Sequence, residues 1–219
     1  MHEVLRRSAG HVLVADVDTP VADAPTTHHL GRVLRLRDGA VVTVTDGAGR
    51  WRTCRWADGL QPDGDVIAEP RPAELTVAVA PPKGDRLDWL VQKVTEVGVT
   101  RLVLLVAARS VVRWDGDRAD RQLDRLRRIA GEAAAQSRRV WLPELCGPVP
   151  AAELLASTAV AEPDGRPVGA GDRSIAIGPE GGWSPSELAL ASDRVSLGAN
   201  VLRVETAAVV AATLMVAAS

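Results

Sequence analysis

A chain of 219 residues with 46% apolar side chains can build one large or two small globular domains, which excludes a disordered segment. Its net charge of −2 gives no global pull on a polyanion, and Cys54 and Cys146 form neither a metal-ligand spacing nor a disulfide framework, which suits a reducing compartment. No run reaches the ~20 apolar residues that cross a bilayer, and MHEVLRRSAG has no signal-like apolar core, so a cytoplasmic protein with no membrane and no metal is expected.

The first part reads as β structure. HVLVADV (His11–Val17) alternates, and Ala40–Trp56 reads as two strands joined by Asp46-Gly47-Ala48-Gly49, a strong hairpin signal. Between them HHLGRVLRLRDG spaces Leu30, Val33, Leu34 and Leu36 as a short helix that stops near Gly39. Together these predict a small β-barrel with one helix over residues 1–72, followed by a Pro-rich linker at Glu69–Glu74.

From Leu75 strands and helices alternate. LTVAVA is a strand, RLDWLVQKVTEVG a helix stopped by Gly98, RLVLLVAA a buried strand, and the stretch 117–137 an amphipathic helix with Leu123, Leu126, Ile129 and Ala133 inward. ASTAVAE and SIAIG are further strands, SPSELALA a helix, RVSLG a strand and the Ala/Val-rich tail a last helix. This order predicts a parallel α/β sheet flanked by helices over residues 73–219. Trp89 and Trp141 occupy apolar pattern positions and are expected in the core. The tail, Ala207–Ala218, is apolar all round, which points to a buried helix or a subunit interface.

Charge is unevenly placed. Residues 101–139 hold ten Arg against five acids, and residues 140–219 four Arg against nine acids. Such a basic zone can engage a polyanion locally.

Two stretches share one design. In IAIGPEGGW (Ile175–Trp183) a strand runs into three glycines, and the following SPSE (Ser184–Glu187) is a capping box with Pro at the first helical position. In LGANVLRVETAA (Leu197–Ala208) a strand ends at a glycine and a bare loop leads to Arg203, Glu205 and Thr206 at a helix start. Strand ends of this kind line the ligand edge of open α/β sheets. No Walker or G-x-G-x-x-G loop is present, so a phosphate cradle is not expected.

These two loops, with HHLGRVLRLRDG, KGDRLDWLVQKVTEVGV (83–99), RSVVRW (109–114) and EAAAQSRRVWLPEL (132–145), closely resemble the ribosomal small-subunit RNA methyltransferase E family of the SPOUT class. The resemblance runs in order from about His28 to the end. It departs at Glu162–Arg173, which reads as a short loop, and in the lack of any Phe or Tyr ring for stacking a base.

The resemblance implies a PUA-like RNA-binding barrel (1–72) before a SPOUT α/β domain with a deep trefoil knot (73–219), a homodimer, and S-adenosylmethionine (SAM) as cofactor. It also implies methylation of N3 of one uridine in 16S ribosomal RNA or the small ribosomal subunit. Gly178, Pro179, Glu180, Gly181, Gly182, Leu197, Gly198, Val201 and Leu202 would then hold SAM through backbone groups, the bareness serving close approach to a flat neutral ring. Arg203 and Glu205 are the catalytic candidates, with Glu180 the other nearby carboxylate and the general base open. Arg32, Arg35, Arg37, Arg109, Arg113, Arg138 and Arg139 are the candidates for RNA phosphates; His28 and His29 fit either RNA contact or a capping role. Two rival readings stay open: a ribose 2′-O-methyltransferase of transfer or ribosomal RNA, and a non-catalytic RNA-binding assembly factor.

Overall fold

The computed structural model describes residues 2–219. The chain divides into two compact units, Met1–Pro72 with Gly131–Leu142, and Ala73–Ala130 with Pro143–Ser219. One boundary between the units falls after Pro72. That Gly131–Leu142 joins the first unit is visible only in the tertiary structure.

In the first unit a short helix α1 (Glu3–Arg7) leads into a five-stranded mixed sheet of β1 (Gly10–Leu13), β2 (Val41–Thr45), β3 (Arg50–Ala57), β4 (Gly59–Pro62) and β5 (Ile67–Ala68). β1 runs parallel to β2, and β2 and β3 form the predicted hairpin. Its turn is held by the Asp46 carboxylate, which accepts from the amides of Ala48 at 2.7 Å and Arg50 at 3.1 Å. A side chain at Gly49 would collide with the Trp141 indole, so this turn takes glycine for packing as well as for its φ of 94°. Val12, Val14, Val17, Leu30, Val42, Val44, Cys54 and Trp56 fill the core, and burial pushes the Cys54 thiol up to about 11, which makes it inert.

The helical segment begins earlier and ends sooner than the sequence reading places it: α2 (Ala24–His28), capped by Asp23 on the Thr26 amide at 2.8 Å, continues as a π-helical turn over His29–Val33. Only Leu30 of that turn is buried; Arg32, Val33, Leu34, Arg35 and Arg37 are exposed.

A histidine is sealed inside this unit. His11 Nε2 donates to the Arg139 carbonyl at 3.0 Å, which leaves Nδ1 as acceptor for the Thr43 hydroxyl at 2.8 Å. Burial, outweighing the Arg139 hydrogen bond, lowers the imidazole to about 4, so it is neutral.

The second unit is a six-stranded parallel sheet in the order β11-β9-β10-β6-β7-β8. Its elements are β6 (Thr76–Val79), α3 (Arg86–Val97), β7 (Arg101–Val106), α4 (Gly116–Gln136, whose last turns belong to the first unit), β8 (Glu144–Pro150) and α5 (Ala152–Leu155). There follow β9 (Ala159–Pro167), β10 (Ser174–Ile177), α6 (Pro185–Leu190), β11 (Asp193–Ser196) and α7 (Val204–Ala217). Strand alternation splits the core between two faces. Val77, Val79, Leu102, Leu104 and Ile175 pack with Leu87, Leu90, Leu126, Ala208 and Met215 on one side. Ala78, Ala80, Val103, Leu105 and Ala176 pack with Leu155 and Trp183 on the other. A sheet covered on both faces explains why its strands read as continuous apolar runs.

Three expectations change. Trp89 is not core: it is 44% exposed on the outer side of α3. The segment read as a loop from Glu162 is strand as far as Pro167, paired with β11 through a register shift at Arg194/Val195. β8, with two prolines and a glycine, was not legible as a strand; it sits at the sheet edge, where missing N–H donors are tolerated. Among the described residues no helix is long and apolar enough to cross a membrane.

Candidate functional site

The carboxyl-terminal ends of β10 and β11, adjacent to β9 in the parallel sheet, open into a cavity of about 610 Å³. That lies within the roughly 300–1,000 Å³ typical of small-molecule sites. The cavity belongs entirely to the second unit. Its lining brings the two glycine loops together: Gly178, Pro179, Glu180 and Gly182 after β10, and Leu197, Gly198, Val201, Leu202 and Arg203 after β11. Ala161, Ile177, Val204 and Ala207 supply apolar walls.

The loop after β10 is fixed from both ends. Ser184 caps α6 by accepting from the Glu187 amide, and the Glu187 carboxylate accepts from the Ser184 amide at 2.8 Å, completing the predicted capping box. Glu187 also accepts from the Ala108 amide at 2.8 Å, which ties the loop after β7 to the start of α6. Burial raises the Glu187 pKa, but the amides of Ser184 and Ala108, the Ser184 hydroxyl and the Arg109 charge outweigh it, and the net direction is down.

The glycines answer to different neighbours. A Cβ on Gly178 would lie 2.9 Å from the Trp183 indole, and Gly182 has a φ of 71°, open to glycine at little cost. Gly181 does not line the cavity; a Cβ there would meet the Arg109 side chain at 3.4 Å, and the Arg109 guanidinium donates to the Gly181 carbonyl at 2.9 Å. Close approach to a ligand is therefore only part of why this loop is bare.

The candidate carboxylates separate in the same way. Glu205, in the first turn of α7, is 8% exposed and does not line the cavity. Arg86, at the start of α3, does. Its guanidinium lies 2.6 Å from Glu180 and 3.7 Å from Glu205, whose Oε2 is buried without a hydrogen bond among the described residues. Arg203 is exposed at the N-cap of α7, and Val201 is 92% exposed at the rim.

Sequence reasoning missed Arg86, Glu162 and Trp183 as lining residues. Arg86 lies inside the quoted motif at 83–99 and Trp183 directly follows the Gly181-Gly182 pair, so both carried a signal. Glu162 carried none, because its segment read as a loop.

The arginine candidates do not form one group. Arg32, Arg35 and Arg37 are exposed on the first unit beside exposed Val33 and Leu34. Arg109 and Arg113 are exposed in the loop after β7, Arg109 being bonded to Gly181. Arg138 and Arg139 fall in the first unit and are half-buried. The Arg138 guanidinium donates to the Ser8 carbonyl at 3.1 Å, and burial lowers Arg139 to about 10. The Arg138 side chain thus braces a backbone carbonyl, and both residues are partly withdrawn from solvent.

A parallel α/β unit with bare loops at its carboxyl edge, joined to a separate small β unit, defines a class: residues 69–216 match the RNA methyltransferase domain family, and residues 22–57 the RNA methyltransferase PUA domain family. The ribosomal RNA small subunit methyltransferase E of Synechocystis sp. is 34% identical over 84% of this chain and 68% of its own length. That of Mycobacterium bovis is 33% identical over 87% of this chain and 83% of its own. The chain belongs to the ribosomal RNA small subunit methyltransferase E family. A crystal structure of a family enzyme from Neisseria gonorrhoeae, bound to S-adenosyl methionine, has the same fold with a TM-score of 0.76 at 24% identity, covering 94% of this chain and 96% of that one.

Proposed function

We propose that this protein transfers a methyl group from SAM to N3 of a uridine in 16S ribosomal RNA of the small subunit. The observation that carries the reading is the cavity itself. It combines apolar walls for a flat ring, backbone amides and carbonyls of two loops for neutral hydrogen bonding, and no phosphate cradle. When bound, SAM supplies an electrophilic methyl on a sulfonium.

What the chain contributes is orientation and charge. Backbone groups of Gly178–Gly182 and Leu197–Leu202 hold the nucleoside. The apolar walls exclude water, which strengthens any polar contact made inside. Arg86, paired with Glu180 and Glu205, places guanidinium N–H donors at the wall within a cluster whose carboxylates offset its charge. Uridine N3 must lose its proton as it reacts, and the Arg203 cation on the cavity wall favours the uridinate and lowers that cost without itself moving a proton. The exposed Arg32, Arg35 and Arg37 with Val33 and Leu34 supply phosphate and apolar contacts on the PUA unit.

The reading extends to a cytoplasmic homodimer with the chain knotted around the site. Its support for the dimer is the outer side of α7 and α3, where Leu214 is 37% and Trp89 44% exposed. Small subunits lacking the modification, incubated with this protein and isotope-labelled SAM, are expected to gain one methyl that mass mapping of nuclease fragments places on a uracil base. A methyl on a ribose would transfer the assignment to the 2′-O class, and no methyl at all with SAM bound would support a binding factor instead.

A further inference from the structure

The cavity wall carries two carboxylates, Glu162 and Glu180. Glu180 is neutralised by Arg86 at 2.6 Å, and the buried Glu205 stands behind Arg86, outside the wall. Glu162, half-buried on β9, has no hydrogen bond and no ion pair among the described residues. Asp164, next on its own strand, is already matched by Arg194 of β11 at 3.3 Å. The adjoining strand β10 carries no charged side chain.

A carboxylate is an acceptor only, and one that has given up part of its hydration on a cavity wall is matched when a ligand supplies the donor. SAM offers hydroxyls on its ribose, an ammonium on its amino-acid end and a positive sulfur. We propose that Glu162 is the residue that recognises the donor-bearing, cationic character of the cofactor, a role that rests on the SAM reading above. Shared chemistry defines the contact: a hydrogen-bond donor or cation opposite an otherwise unmatched carboxylate.

The proposal has a pH signature. Burial first, then the nearby Asp164 charge, raises the Glu162 pKa, with Arg194 opposing. The other charged groups on the cavity wall are Arg86, Glu180 and Arg203. A ligand that meets the carboxylate with a donor favours the ionised form. Affinity therefore rises with pH as free Glu162 ionises and levels off above, and binding at the acidic end releases a proton.

Calorimetric titration of the full chain with SAM from pH 4.5 to 7.5 tests this. Glu162→Gln is expected to bind SAM at least tenfold more weakly at pH 7.5 and to lose the part of the pH dependence that separates it from wild type. Glu162→Asp, which keeps the charge, is expected to retain that dependence. Melting curves of the free variants confirm that they fold. Three further titrants locate the partner group. Weakening shared by SAM, S-adenosylhomocysteine and adenosine places it on the ribose. Weakening with the first two and methionine but not adenosine places it on the amino-acid end, and weakening with SAM alone places it on the sulfonium. Wild-type binding that Glu162→Gln leaves unchanged at every pH overturns the inference alone. Absence of wild-type binding removes the cofactor reading, and the inference with it.

Discussion

Protonating His11 should loosen the first unit well above the pH at which its carboxylates titrate. The imidazole lies at about 4 in the folded protein against an ordinary 6.5, chiefly through burial. The unfolded chain therefore binds a proton that the folded chain refuses between those values, and stability must fall as pH drops through that window and be complete above it. At about 1.4 kcal/mol per unit, the full difference comes to about 3–4 kcal/mol. Between pH 7 and pH 5 the expected loss is about 2 kcal/mol, since only part of the window has been crossed. His2, His28 and His29 are exposed and present in both proteins compared, so they cancel. Urea unfolding followed by circular dichroism at pH 7, 6 and 5 measures the slope, and His11→Gln, which cannot titrate, should flatten it whatever its own stability. If the two proteins lose stability equally between pH 7 and 5, His11 is not sealed as its bonds to Thr43 and Arg139 indicate, and the argument fails.

Gly178→Val should force the Trp183 indole aside and weaken SAM binding more than tenfold, about 1.4 kcal/mol, whereas Gly181→Val, which faces Arg109, should cost less; equal effects in calorimetry would contradict the different placement of the two glycines. Ser184→Ala removes the cap of α6 and should cost about 1 kcal/mol in denaturant melts, and Glu187→Ala should cost more because it also releases the Ala108 amide. Replacing Arg32, Arg35 and Arg37 with Gln should weaken ribosomal RNA binding and reduce the slope of log affinity against log salt by about 0.7–0.9 for each lost phosphate contact, while SAM affinity stays the same; an unchanged slope would remove these residues from the RNA face. Leu214→Glu should shift the protein towards monomer in sedimentation, and a monomeric wild type at micromolar concentration would refute the α7 interface.

Local rules sufficed wherever a residue's role depends on its chain neighbours. The hairpin at Asp46–Gly49, the cap at Ser184–Glu187 and the stop at Gly98 are set within a few bonds, and the apolar runs of β6, β7 and β10 follow from a sheet buried on both faces. The pairing of the two glycine loops was likewise legible, because both repeat one pattern at the ends of strands. What the sequence could not express is direction. Whether Gly181 faces a ligand or Arg109, whether Glu205 lines the cavity or stands behind Arg86, and whether Arg138 offers charge or braces the Ser8 carbonyl all depend on residues many positions away. The same holds for Glu162. Its segment has a proline, an aspartate and a glycine in succession and reads as a loop, yet the residues on either side, Ala159–Val160 and Arg166–Pro167, pair with β11, and the bulge between them sets a carboxylate on the cavity wall. Strand pairing supplies hydrogen bonds that override weak local preference, and only the folded sheet provides the partner.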